Sequence, residues 1–533
     1  MAKVEPSTTN QKASQSAYDQ PPLGESAQTG WRSHWDIGII VVFVLTWLII
    51  LCVFALPLEG FTDEYDIVNP ARDYLAGQVH EYVKYPSFSF YFFGIFFKLF
   101  GTFQNIQDSL HVARIVNYFL FIANILLLHA FLRSHFARLW ALVGTILFTT
   151  LPWIIFSAMY VKTEGLLLCQ LLFVLVVLGK LSDHPNSLRW HALAAIGAAL
   201  SISTKLSPLP FILYVSNAIY LRFHGTRITT RAILTYAAVL EITVLATWRN
   251  LWIFDKVVAS WKRDIYFLSG AGPWNALSES ELSGFPYGRF SSFLTVTMPM
   301  ALGLVGLIFL CSLFARSIPR KILWAFGGGN LVSLIIALST TRLRLPHGFT
   351  PHIVFFLVAG ISFLAWLGSR KPAGNPIFNS RLAWVLVAAC LAQTGWQVVE
   401  LPSLMSAMSH AKQIIRSRPL DKSERLICMY PIEAGKASIR HLSDKMRDPK
   451  SLRELISIRN PKELYVYSSY IDNMCKYSTQ PTYRENCDFF YKELLPGKTA
   501  YRVEREDVIP WNGFFMLDTE FRHMSFFLFT RSS

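Results

Sequence analysis

Long apolar runs separated by short polar breaks fill most of the chain up to residue 401. Runs of spanning length fall at 37–57, 112–132, 139–160, 164–181, 190–204, 207–222, 230–248, 290–315, 321–340, 350–369 and 382–401, about eleven in all. The run FSFYFFGIFFKLFG at 88–101 is too short for a comfortable span and would break the parity of the count if it crossed. It reads as an interfacial or re-entrant helix. The competing reading is an ordinary short span, with a second missed span restoring the count. After 402 the pattern changes to dense charge with short alternating runs at 425–431, 463–469, 500–506 and 525–531, and helical stretches such as 445–457 between them. That pattern predicts a small α/β domain with one modest core. No repeat of fixed period is apparent, which argues against a solenoid.

Composition agrees with the run pattern. A hydrophobic content of 52% against 16% charge, with mean hydropathy +0.35, is too apolar for a soluble protein and predicts an α-helical polytopic membrane protein. Residues 1–35 are polar, rich in Ser, Gln and Thr, and hold no apolar core before Trp35. They read as a disordered cytoplasmic tail and not as a cleavable signal peptide. The expected organisation is this tail, a membrane domain at 36–401 whose first outer loop is 58–111, and an extracytoplasmic α/β domain at 402–533.

The net charge of +15 comes from basic residues clustered between apolar runs, not from one stripe with interleaved aromatics, so a nucleic-acid partner is not expected. With residue 1 inside, the inner loops carry Arg133 and Arg138; Lys180 and Arg189; Arg222, Arg227 and Arg231; Arg316, Arg320 and Lys321; and Arg370, Lys371 and Arg381. Every inner loop is basic, as topology requires. The same count puts 58–111, the turns at Lys162 to Glu164 and at Lys205, the segment 249–289, the TTRLRLPHG turn and everything after 402 on the far face. The polar residues of interest therefore share one side.

Among them, FTDEYD at 61–66 places Asp63, Glu64 and Asp66 at the mouth of the first span, where carboxylates are expensive to hold. This marks a candidate reaction site at the membrane surface. Against it stands helix capping, since a carboxylate near a helix N-terminus is favoured by roughly 0.3–1 kcal/mol. No C-x-x-C, H-x-x-x-H or H-E-x-x-H pattern occurs, so a structural or catalytic zinc is not indicated, and without G-x-x-x-x-G-K-[ST] a nucleotide-driven pump is not expected. No cofactor is expected, and a need for a divalent cation stays open. Cys52, Cys169, Cys311 and Cys390 fall in apolar runs as packing residues, whereas Cys475 and Cys487 form the natural disulfide pair if the far compartment is oxidising.

The order of a first span, the Asp63-Glu64 pair, an ARDYLAGQ helix, a Tyr-Pro element, FGIFFKLFG and then ARIVN resembles the GT-C fold glycosyltransferases that use polyprenyl-phosphate sugars. Dolichyl-phosphate-mannose protein mannosyltransferases and lipid A aminoarabinose transferases are the nearest in pattern. The likeness is strongest from about 58 to 210 and implies about 11–13 transmembrane helices with transfer on the non-cytoplasmic face. It implies a donor in which an undecaprenyl or dolichyl phosphate carries the sugar, and a lipid, glycan or protein acceptor. Asp63 matches the motif acid and takes the role of general base, with Glu64 as the neighbouring alternative. Glu164, in MYVKTEGLL, matches an acid that shapes the same site, and Lys205, in STKLSP, matches a lysine that contacts the donor phosphate. Snorkelling to headgroups is the rival account of Lys205.

Lys84 departs from the resemblance. Some relatives carry Lys directly before Pro-Pro, whereas Lys84-Tyr85-Pro86-Ser87 displaces the lysine by one and lacks the second proline, leaving Tyr85 as a competing lining residue. Arg342 and Arg344, with His347 beside them, are suited to clamp a phosphate or a sugar carboxylate. Binding of anionic headgroups is the bland alternative. In 249–289, Trp261, Lys262, Arg263, Tyr266 and Trp274 suit either an acceptor-binding lid or interfacial anchoring. The rival functional classes are a secondary transporter, for which the Gly-rich stretch at 327–330 would be the interrupted helix, a flippase of lipid-linked glycans, and a non-catalytic scaffold. The identity of the sugar and of the acceptor stays open. Absence of an N-x-[ST] sequon favours a bacterial inner membrane with a periplasmic site over the endoplasmic reticulum.

Overall fold

The computed structural model describes residues 35–56, 62–76, 86–102, 104–253, 255, 258, 262, 322–340, 350–369, 381–395, 425–428, 452–467, 481–510 and 523–532. Ten of the eleven expected spans contain a described helix, those at 207–222 and 321–340 from Leu209 and Ile322 onward; the remaining one, 290–315, lies outside the described residues. The helices are α1 (Trp35–Ile50, prolonged by a π turn Leu51–Ala55), α2 (Thr62–Leu75), α3 (Phe88–Leu99), α4 (Ile106–Arg133) and α5 (Arg138–Thr149). They continue as α6 (Pro152–Met159), α7 (Thr163–Asp183), α8 (Leu188–Lys205), α9 (Leu209–Phe223), α10 (Thr230–Thr247), α11 (Gly328–Thr340), α12 (Thr350–Ser369) and α13 (Arg381–Gly395). Trp35–Val53, Ile106–Arg133, Thr163–Asp183 and Thr230–Thr247 are long and apolar enough by length and composition alone to cross a bilayer.

Local chemistry sets several boundaries. Asn105 caps α4 by accepting from the Gln107 N–H at 3.0 Å, and Asp108 follows in the first turn, where a carboxylate is favoured. The run at 139–160 is not one helix as the hydropathy suggested. It breaks at Thr150–Leu151, because Pro152 has no N–H to donate and disfavours helical backbone before it. The Thr149 and Thr150 hydroxyls donate to the carbonyls of Ile146 and Leu147 at 2.7 and 3.0 Å, satisfying groups the break releases.

Contacts between helix ends pair like with like. At one end, Asp36 at the start of α1 meets Arg133 at the end of α4 at 3.1 Å. Phe326 lies 5.7 Å from Phe131, and Trp140 stacks on Trp384 at 5.5 Å. All these residues adjoin the basic loops, and this end is named inner by the positive-inside expectation. At the opposite, outer end, Arg114 reaches the Ala55 and Leu56 carbonyls where α1 finishes, and Ser87 donates to the Thr247 carbonyl where α10 finishes.

The short helix α3 is about 18 Å long by helical rise, well below a bilayer core. Both of its ends lie at the outer end: Ser87 is tied to Thr247, and the Ser109 hydroxyl near the start of α4 donates to Thr102 at 2.7 Å. It therefore does not cross. Phe90, Phe93 and Phe97 are buried against Ile67, Val68 and Ala71 of α2 and Leu110, Ala113 and Val116 of α4. A methyl at Gly94 would come within 3.3 Å of the Ala71 carbonyl, so α2 and α3 approach closely where that glycine stands. This small core is separate from the main one, which α1 and α4–α13 share.

Strands stand where the alternation predicted them: β1 (Arg425–Cys428), β2 (Glu463–Tyr467), β3 (Tyr501–Pro510) and β4 (His523–Arg531). They form one sheet in the order β1-β2-β4-β3, with β1 and β2 parallel and the other pairs antiparallel. Leu464 and Val466 register with Phe529 and Phe527 on one face and pack on helices α14 (Leu452–Arg459) and α15 (Pro481–Phe489). Cys487 is disulfide-bonded; its expected partner Cys475 lies outside the described residues.

Candidate active site

The outer end gathers segments far apart in sequence. Glu64, in the first turn of α2, is fully buried with Arg114 of α4. Arg114 Nε donates to Oε1 at 2.9 Å and Nη2 to Oε2 at 2.7 Å, a bidentate fork. Oε1 also accepts from the Val161 N–H at 3.0 Å, while Nη1 donates to the Ala55 and Leu56 carbonyls at 3.3 and 3.2 Å. The guanidinium lies 5.9 Å from the Tyr160 ring centroid. One ion pair thus joins the end of α1, the start of α2, the outer part of α4 and the α6–α7 turn. Burial of both charges is tolerable only because each is answered by the other and by backbone groups.

A second pair is built differently. Glu164 in the first turn of α7 accepts from the Lys205 ammonium at the C-terminus of α8, and the Thr163 hydroxyl donates to its other oxygen at 3.2 Å. Gln170 Nε2 donates to Thr204 Oγ1 at 2.9 Å, fixing the end of α8 against α7. Leu206 follows in the left-handed region, φ 54°, and turns the chain straight into α9. Lys205 keeps part of its surface open while Glu164 is buried.

Between the two pairs runs the turn 157–165. Asn117, one turn beyond Arg114 on α4, is buried and directs its amide at the carbonyls of Ser157, Ala158 and Tyr160 at 2.7, 2.9 and 3.0 Å. Asn124 donates to the Gly165 carbonyl at 3.1 Å. Nearby, the Thr247 and Ser203 hydroxyls pair at 2.8 Å, and the exposed Arg249 guanidinium lies 5.1 Å from the Tyr91 centroid.

Of the residues expected from sequence, Glu164 and Lys205 meet directly. Glu64 differs from the accessible carboxylate expected of a base, since both its oxygens are occupied and none of its surface is open. Asp63 precedes it in the same helical turn, and its side chain lies outside the described residues. So do Lys84, Tyr85, Arg342, Arg344 and His347, and all but Lys262 of the aromatic and basic set at 261–274. Sequence reasoning held Arg114 and Asn117 only as letters of the ARIVN motif and gave neither a role. Their signal was a charge and two amides, at 114, 117 and 124, on one face of an otherwise apolar span.

No family model matches the sequence, and no curated protein matches it. Among solved structures, the apo oligosaccharyltransferase of Archaeoglobus fulgidus superposes with TM-score 0.51 at 10% identity, over 86% of this chain and 73% of that one. The chain has the GT-C fold. ArnT from Cupriavidus metallidurans, solved with undecaprenyl phosphate, aligns over 83% of this chain and 94% of its own at 13% identity and TM-score 0.44. The fold assignment rests on the first of these; the chain's own apolar helices of spanning length make it a polytopic membrane protein, and a small sheet stands near its C-terminus.

Proposed function

We propose that the protein is an integral membrane glycosyltransferase that moves a sugar from a polyprenyl phosphate to a lipid, glycan or protein acceptor on the non-cytoplasmic face, in a bacterial inner membrane. The observation that carries this is the gathering of the Glu164–Lys205 pair and the helical turn bearing Asp63 at one end of the bundle. A partly open cation beside an acidic turn at the membrane surface suits a reaction whose leaving group is a lipid phosphate. The GT-C fold supports sugar transfer in general, as a fold-level analogy.

In this reading the acceptor heteroatom attacks the anomeric carbon and gives its proton to Asp63. The bond from that carbon to the phosphate oxygen breaks, and Lys205 holds the charge that the departing phosphate gains. Glu164 orients Lys205. Glu64 acts as the anchor of the turn that carries Asp63, because its own oxygens are committed to Arg114 and Val161. Lys84, Arg342 and Arg344 add cations for the phosphate, Tyr85 and His347 line the sugar side, and no cofactor is invoked.

The test is Asp63→Asn, assayed with radiolabelled polyprenyl-phosphate sugar and a crude acceptor extract. Asparagine keeps the shape and the capacity to cap a helix but cannot take the proton. Transfer should fall by about a hundred- to ten-thousandfold while donor binding persists. Transfer at the wild-type rate would remove Asp63 from the chemistry.

A further inference from the structure

We infer that Asn117 is a positioning residue for the donor-phosphate side of the site, acting through the 157–165 turn on Glu164 and Lys205; this rests on the functional reading above. The carboxamide offers two N–H donors to three carbonyls, those of Ser157, Ala158 and Tyr160, at the C-terminal end of α6 where no further helical turn is present to take them. It therefore caps α6 from a different helix. Immediately after the capped carbonyls come Val161, bonded to Glu64, then Lys162 and Glu164.

The far end of the turn is fixed by the same helix. Asn124 holds the Gly165 carbonyl, and a methyl placed on Gly165 would meet Asn117 Oδ1 at 2.9 Å and the Ser157 carbonyl at 3.4 Å. Such a methyl has no cheap escape, because moving the Asn117 carboxamide aside breaks its bonds to the three carbonyls. Position 165 and position 117 are thus two sides of one contact. Glu164 lies between the two anchored points and holds the Lys205 ammonium. Loosening the turn should displace Glu164 and with it the lysine, although Asn117 touches neither.

The experiment measures binding of undecaprenyl phosphate to detergent-purified full-length protein, together with thermal unfolding, for Asn117→Leu, Gly165→Ala, Lys205→Ala and the double variant Asn117→Leu/Lys205→Ala. Leucine keeps the approximate shape of Asn117 and removes its donors. Asn117→Leu and Gly165→Ala should each weaken binding, the first by roughly five- to tenfold. The double variant should bind no worse than Lys205→Ala, because the route runs through the lysine. If Asn117→Leu does not fold, Gly165→Ala, alone and with Lys205→Ala, gives the same comparison with the carboxamide retained. Wild-type affinity in the folded single variant, or losses that multiply in the double variant, would overturn the positioning role and leave the functional reading standing. Unchanged affinity in Lys205→Ala would overturn that reading and the positioning role with it.

Discussion

Glu64 and Glu164 each hold a cation at the outer end of the bundle, yet one pair is sealed and the other is open. The Glu64 and Arg114 side chains are both 0% exposed, whereas Lys205 keeps 25% of its surface while Glu164 keeps 6%. Arg114 spends its planar fork on a carboxylate and its remaining nitrogen on two carbonyls, leaving nothing to offer a ligand. Lysine presents a point charge on a flexible stem and can turn toward an incoming phosphate. In the function proposed above, the first pair holds the site together and the second does its work.

The largest effect should come from breaking the sealed pair. Arg114→Ala leaves a buried, unanswered carboxylate and should cost about 3–5 kcal/mol of stability, read as a large fall in unfolding temperature in detergent. Replacing Glu64 and Arg114 together by apolar residues of similar size should recover much of that loss. If Arg114→Ala were as stable as the parent, the pair would not be structural.

Next comes the open pair. Lys205→Ala should lower transfer efficiency by about ten- to a hundredfold, the effect of losing one charge-assisted contact, with little change in unfolding temperature. A collapse in stability equal to that of Arg114→Ala would erase the distinction between the pairs. The smallest effect belongs to an exposed cation that packs on a ring: Arg249→Ala removes the contact with Tyr91 and should cost no more than about 1 kcal/mol in the same unfolding measurement.

How far the sequence could be read follows from the same physics. Hydropathy finds spans because every residue of a run contributes, and alternation finds β2 and β4 because their inward residues recur every second position. Charge in the loops groups the helix ends, and the Trp140–Trp384 and Phe131–Phe326 contacts bring ends from the basic side together. The break before Pro152 was visible in the residue itself but outweighed by the apolar run around it. Glu64 could not be distinguished from Asp63 by motif, because what seals it is an arginine fifty positions away. The same holds for Asn117, whose partners are backbone carbonyls that carry no side-chain signature. The pairing of Glu164 with Lys205 was expected only as membership of one site, and their direct contact needed the packing of α7 on α8.

The left-handed turn at Leu206 has a consequence for how the chain enters its membrane. α8 and α9 form a tight helical hairpin with Lys205 at its tip, so that lysine has to be carried across the bilayer during insertion, at a cost of about 2.5–3.5 kcal/mol if it crosses charged. Translation runs from the N-terminus, so the preceding hairpin delivers Glu164 to the far side first, with Asn117 and Asn124 of a still earlier helix there to grip its turn. The lysine then emerges beside a carboxylate already in place. The pair proposed above to hold the donor phosphate would then also act as a one-way catch for the nascent chain, recruited at birth and put to chemical use afterwards.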